Sequence, residues 1–138
     1  MARILFVDDD ELEQLFAREI LALGRHEVVQ ARDGEEALSI YRREGLYIDA
    51  VVTDLAMPRL NGLRLIQELR EIDRDVILIA ASGQNADQLD LAEGYGVAAV
   101  LLKPWEPARF LEILEDLIHR RDAVGRTVPS WAARKASA

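Results

Sequence analysis

Five short apolar runs, each closed by polar residues and followed by a stretch of helical spacing, dictate what this chain can become: Arg3 to Val7, Glu27 to Ala31, Asp49 to Thr53, Val76 to Ala81 and Val97 to Leu102. Runs this short and this continuously apolar fit strands buried on both faces, with the intervening helical stretches as the cover. The pattern predicts an α/β fold, a parallel five-stranded sheet with helices on both sides.

The helices are marked by spacing and by their ends. Leu12, Leu15, Phe16, Ile20 and Leu23 recur at helical intervals before the stop signal Gly24, and Asp10 with Glu13 reads as an N-cap with its reciprocal acid. By the same logic Asp33-Gly34-Glu35-Glu36 opens a helix running to about Arg43. Asn61 and Gly62 introduce a third, carried by Leu63, Ile66, Leu69 and Ile72. A less regular fourth covers Ala86 to Glu93, and Phe110, Leu111, Leu114, Leu117 and Ile118 mark a last one up to about Arg121. From Ala123 on, with Gly125, Pro129 and Ser130, neither period is present and a mobile tail is expected; Trp131 could dock on something, but a lone aromatic in a tail is more often unordered.

Composition narrows the chemistry. With 138 residues the chain suits one domain, and with no cysteine it offers no disulfide and no thiolate nucleophile or metal ligand. No apolar run approaches the roughly 20 residues that span a bilayer, and no basic-then-apolar leader opens the chain, so a cytoplasmic protein without membrane insertion is expected. All 25 acidic residues fall at or before Asp122 with 14 of the 17 basic ones, leaving the body at −11 and the tail, with Arg126, Arg134 and Lys135, at +3. A body this acidic argues against direct nucleic-acid binding.

In a sheet of this kind ligands collect beyond the carboxyl ends of the strands, at the switch in strand order. Those ends carry Asp8 and Asp9, Asp54, Ser82 and Lys103. Three converging carboxylates repel, so either one stays protonated or a cation joins them, and a hard ion such as Mg²⁺ suits oxygen ligands. With the charge balanced, one carboxylate can act as a nucleophile and form an acyl phosphate. Phosphoryl transfer then asks the protein mainly for in-line placement and stabilised equatorial oxygens, which a hydroxyl at Ser82 and an ammonium at Lys103 would supply. Only two of the 17 basic residues are lysines and Lys103 is the one in the body, which points to a need for a compact point charge there. Each residue alone has an ordinary explanation: a cap for a strand-end Asp, a turn for Ser82-Gly83, a surface strand end for Lys103. All of these would have to hold at one sheet edge. His26 and His119 read as surface residues away from that edge, while Met57 is expected to pack and Pro58 to shape its loop.

Asp8-Asp9 after Ile4 to Val7, Thr53-Asp54-Leu55-Ala56-Met57-Pro58 with Gly62, Ser82-Gly83 and Lys103-Pro104-Trp105 together resemble the receiver domain of two-component response regulators, over residues 3 to about 121. The resemblance implies a flavodoxin-like (βα)5 fold, doubly wound with strand order 2-1-3-4-5, a receiver domain over residues 1–122 and a flexible tail over 123–138. It implies that Asp54 is the phosphoacceptor in a Mg²⁺-dependent transfer, with Mn²⁺ as an alternative ion. Asp9, Asp54 and the backbone carbonyl of Ala56 match the direct metal ligands, and Asp8 a water-mediated one. Ser82 and Lys103 match the groups that meet the phosphoryl oxygens, and in this family the Lys-Pro bond is usually cis. The implied donor is a sensor histidine kinase or a histidine phosphotransfer protein, the output a change in binding to an unidentified protein, and a dimer through the fourth and fifth helices is open to such a domain. The resemblance thus implies a signalling switch with Mg²⁺-assisted self-phosphorylation and slow self-dephosphorylation, and not a turnover enzyme. The tail is too short for an output module, so a stand-alone receiver is expected.

Two positions depart from the family. Val100 stands where an aromatic residue usually swings on phosphorylation, so output would have to travel through the loop after Ser82 or the last two helices. Ala56 offers no side chain to position a hydrolytic water. Two other readings compete: a haloacid dehalogenase-like phosphatase, which would want an acid where Ala56 stands, and an interaction module that works without phosphorylation.

Overall fold

The structure is a computed structural model that describes residues 2–55, 61–83 and 86–125. In chain order the elements are β1 (Arg3–Val7), α1 (Glu11–Leu23), β2 (Glu27–Ala31), α2 (Gly34–Glu44), a 3-10 turn (Gly45–Tyr47), β3 (Ala50–Asp54), α3 (Gly62–Ile72), β4 (Ile77–Ser82), α4 (Ala86–Gly94), β5 (Ala99–Leu102) and α5 (Pro107–Val124). All strand pairs are parallel, in the order β2-β1-β3-β4-β5. The predicted doubly wound sheet is therefore present, with its order.

Alternate strand residues build two cores. Leu5, Val7, Val51, Leu78 and Ala80 face α2, α3 and α4, where Tyr41, Leu65, Ile66 and Leu69 are fully buried. Ile4, Phe6, Val52, Ile79 and Ala81 face α1 and α5, meeting Ile20, Leu21, Phe110 and Leu114. Because β1, β3 and β4 are covered on both sides, their sequences are apolar throughout instead of alternating. Each large apolar side chain so buried contributes roughly 1.5–3 kcal/mol.

Several boundaries differ from the sequence reading. β5 opens at Ala99 rather than Val97, because Gly96 (φ +82) is still turning the chain. Arg70 holds that turn, donating from Nη2 to the Gly96 carbonyl at 2.8 Å and from Nη1 to the Val76 carbonyl at 2.9 Å. The last helix continues past Arg121 to Val124 and ends at Gly125, whose φ of +84 suits glycine. The expected tail from Ala123 thus begins with helical residues, and the expectations for residues 126–138 lie outside the described residues.

α1 is a helix as predicted, but turned about its axis. The residues it buries are Gln14, Ala17, Ile20 and Leu21, while Leu12 and Leu23 are each 75% exposed and Leu15 and Phe16 nearly half so. Its N-cap is Asp10, whose side chain accepts from the Leu12 and Glu13 amides. The Asp10 amide donates to Asp8 Oδ1 at 2.9 Å, so the expected reciprocal bond from Glu13 is replaced by one from the site itself. His26 is likewise not a surface residue: its side chain is 6% exposed, with Nδ1 accepting from the Ala2 amide and Nε2 beside Glu115. His119 is exposed on α5.

Candidate functional site

Strand register brings the polar residues to one edge. Val7 pairs with Thr53, so the chain leaving β1 at Asp8 is level with Asp54 at the end of β3. Asp54 pairs with Ala81 and Ser82 with Leu102, which sets Ser82 and Lys103 one step further along the same edge. The edge includes the switch in strand order, where β1 has helices of opposite faces on its two sides.

Asp8 is the most enclosed of the group, 1% exposed. Its Oδ1 accepts from the Asp10 amide and its Oδ2 from Lys103 Nζ at 3.0 Å. Lys103 Nζ also lies 3.5 Å from Asp54 Oδ2, so one ammonium spans two carboxylates. Asp9 is exposed, and one oxygen from each of Asp8, Asp9 and Asp54 falls within 4.8 Å of the others. Three hard oxygen donors set this close suit Mg²⁺ or Mn²⁺, and with both Asp8 oxygens already engaged a cation would meet Asp9 and Asp54 more directly. Ala56, Met57 and Pro58 lie outside the described residues.

The backbone beneath is fixed by bonds that bypass the carboxylates. The Leu55 amide donates to Ala81 O, the Gly62 amide to Leu55 O, and Thr53 Oγ1 to Asp54 O at 2.9 Å. A side chain on Gly62 would strike the Asp54 carbonyl oxygen and come within 2.6 Å of Leu55 Cα. This glycine lets the start of α3 press against the strand that delivers Asp54, which is a stronger reason for it than a helix start signal. Ser82, 3% exposed, closes β4, and its carbonyl accepts from the Lys103 amide at 3.0 Å. The Lys103–Pro104 peptide is cis, as the resemblance implied.

Two contributors escaped the sequence reading. Gln14 is buried, and its Nε2 donates to the carbonyls of Asp8 at 2.9 Å and Ala31 at 2.8 Å, pinning the turn that carries Asp8. Its signal was a polar residue on the buried side of α1, legible only once the helix rotation is known. Glu13 is a further carboxylate in the field of the site. Burial raises its pKa; Lys103 opposes that rise, and Asp8, Asp10 and Asp54 add to it. For Lys103 burial works against the charged form, but the hydrogen bond to Asp8 and the charges of Asp8, Asp54 and Glu13 outweigh it and its pKa is raised.

A flavodoxin-like sheet with three acids and a lysine at its switch point defines the class of protein. A family model for the response regulator receiver domain matches residues 4–115, and the chain belongs to that family, the signalling domains of two-component systems. The probable transcriptional regulator ycf27 of Porphyra purpurea is 34% identical over 123 residues, covering 88% of this chain and 49% of that protein. The chemotaxis protein CheY of Thermotoga maritima is 32% identical over 115 residues, covering 81% of this chain and 93% of that protein. The crystal structure of a response regulator receiver domain protein from Clostridium thermocellum matches with a TM-score of 0.84 at 27% identity, covering 91% of this chain and all of that one. The chain spans about half the length of the ycf27 regulators it matches. Among the described residues no helix is long and apolar enough to cross a membrane.

Proposed function

We propose that this receiver accepts a phosphoryl group on Asp54 from a phosphohistidine donor and that the acyl phosphate changes what the protein binds. The observation that carries this reading is Lys103 Nζ standing between Asp8 and Asp54, with Asp9 completing the acidic cluster. An Asp54 carboxylate oxygen forms a bond to phosphorus as the P–N bond to the donor imidazole breaks, and the imidazole leaves with a proton. Mg²⁺, held by Asp9, Asp54 and the Ala56 carbonyl and through water by Asp8, would offset the negative charge of both carboxylate and phosphoryl group.

The protein's own groups do the rest. Lys103 exchanges a carboxylate for a phosphoryl oxygen, and Ser82, closing the neighbouring strand, offers its hydroxyl to another. The donor is a sensor histidine kinase or a histidine phosphotransfer protein. Leu12, Leu15 and Phe16, exposed on the first turns of α1 beside Asp8 and Asp9, give it an apolar surface next to the reacting carboxylate. Val100 is partly buried against the core of α2, α3 and α4, so the output does not use a swinging ring at that position.

Intact mass spectrometry after incubation with Mg²⁺ and a phosphoramidate tests the proposal. One phosphoryl group per chain is expected, and none in Asp54→Asn. Equal incorporation by that variant, or none by the parent when another receiver in the same mixture is modified, would overturn it.

A further inference from the structure

The outer side of β5 and the face of α5 beside it form a trough that no described residue covers. Its upper part, about 470 Å³, is lined by Leu101, Leu102, Trp105, Phe110 and Ile113. A second hollow of about 300 Å³ shares Arg109 and Ile113 with it and runs on past Leu117 to Arg120, toward the end of the helix. Three features mark the trough as a seat for an extended segment. β5 pairs with β4 alone among the described residues, which leaves its other backbone edge available. Leu102, in the last position of that strand, is 65% exposed. Trp105 is stacked on Phe110 with ring centroids 5.0 Å apart, and its buried Nε1–H has no acceptor among the described residues. A backbone carbonyl lying in the trough would satisfy it.

We propose that the occupant is the chain's own basic segment, residues 126–135. Charge and reach both single it out. The upper rim carries Asp90, Glu93 and Glu106 against one cation, Arg109, and the lower part adds Glu112, paired with Arg109, and Asp116, paired with Arg120, which leaves five acids to two arginines. The segment carries Arg126, Arg134 and Lys135 and no acid. From Val124 back to Ile113 along α5 is roughly 16 Å at the helical rise. The chain from Gly125 to Trp131, extended, covers roughly 20 Å, so doubling back beside α5 brings Trp131 level with the apolar part of the trough. Arg134 and Lys135 then follow at the acidic rim. Val100, small where the family carries a ring, also lines this hollow and leaves room for the incoming indole. The inference rests on the cavity and the charges, independently of phosphorylation at Asp54.

The chain has no cysteine, so Ser137→Cys in the full-length protein gives one site for a nitroxide label. The expected result is selective broadening of the Leu102 and Ile113 amides and the Trp105 indole resonance, with Leu38 and Leu65 on the opposite face untouched. Adding Trp131→Ala should relieve most of that broadening. In a mixture of nitroxide-bearing unlabelled protein and isotope-labelled protein without nitroxide, those resonances should stay sharp. Absence of selective broadening, broadening that survives Trp131→Ala, or equal broadening in the mixture would each overturn the proposal, the last by making a second copy the occupant.

Discussion

Lys103 Nζ stands 3.0 Å from Asp8 Oδ2 and 3.5 Å from Asp54 Oδ2, and the first of these carboxylates is almost wholly enclosed. Without the lysine, Asp8 keeps its bond from the Asp10 amide but loses the one cationic neighbour that the described residues place within ion-pair distance. Removing one partner of so buried a pair costs on the order of 3 kcal/mol. Urea unfolding of Lys103→Met without divalent ions should show a loss of about that size. Saturating Mg²⁺ should recover part of it. Because folding raises the lysine pKa, the contribution is complete below the ordinary lysine value and fades only as pH rises through the folded one.

Gly62 sets how closely α3 approaches Asp54. Gly62→Ala places a methyl group against the Asp54 carbonyl and Leu55 Cα, both backbone, which have little freedom to yield. Overpacking of this kind costs roughly 1–3 kcal/mol. A lowered thermal midpoint is expected together with weaker Mg²⁺ binding, since the shift falls on the strand end that carries Asp54. Calorimetric titration of the folded variant separates the two effects.

Gln14 holds the carbonyls of Asp8 and Ala31 from inside the protein. Gln14→Leu keeps the volume; Ala31 O retains its bond from the Asp8 amide, but Asp8 O loses this donor, a loss of about 2 kcal/mol by the cost of one unmet buried acceptor. Denaturant unfolding reads the loss. Amide exchange should accelerate at Asp8 and Asp10, where the turn loosens.

Glu13 predicts a pH dependence. Its pKa is raised on folding, chiefly by burial. As pH rises, the unfolded chain releases this proton first, so ionised Glu13 costs stability; the cost is absent in acid and complete above its folded pKa. Glu13→Gln should therefore raise the urea midpoint at pH 7 without divalent ions. That advantage should shrink to nothing as pH falls below the ordinary glutamate range. An advantage that persists in acid would assign the gain to packing instead of charge.

The parallel sheet was legible because most of its strands are short apolar runs that end in residues of distinct chemistry; its strand order came only with the resemblance to receiver domains. Asp8, Asp9, Asp54, Ser82 and Lys103 were legible for the same reason: strand ends in a parallel sheet share one edge. The rotation of α1 was not. Leu12, Leu15, Phe16, Ile20 and Leu23 recur at helical spacing, yet Asp10 and Gln14 fix the helix by hydrogen bonds to the Asp8 turn, which buries Ile20 and leaves the other four exposed. Such directional bonds between residues a few positions apart have no periodicity to detect. His26 illustrates the same limit, its burial set by Ala2 and by Glu115 at the far end of the chain.

Transfer to Asp54 makes one particular carboxylate oxygen the bearer of the phosphoryl group. Borohydride reduction converts an aspartyl phosphate to homoserine, so peptide mapping of the phosphorylated and reduced protein locates the acceptor. Homoserine is expected at position 54 and at neither 8 nor 9. Homoserine at Asp8 or Asp9, or phosphate incorporated with no homoserine formed, would contradict transfer to Asp54.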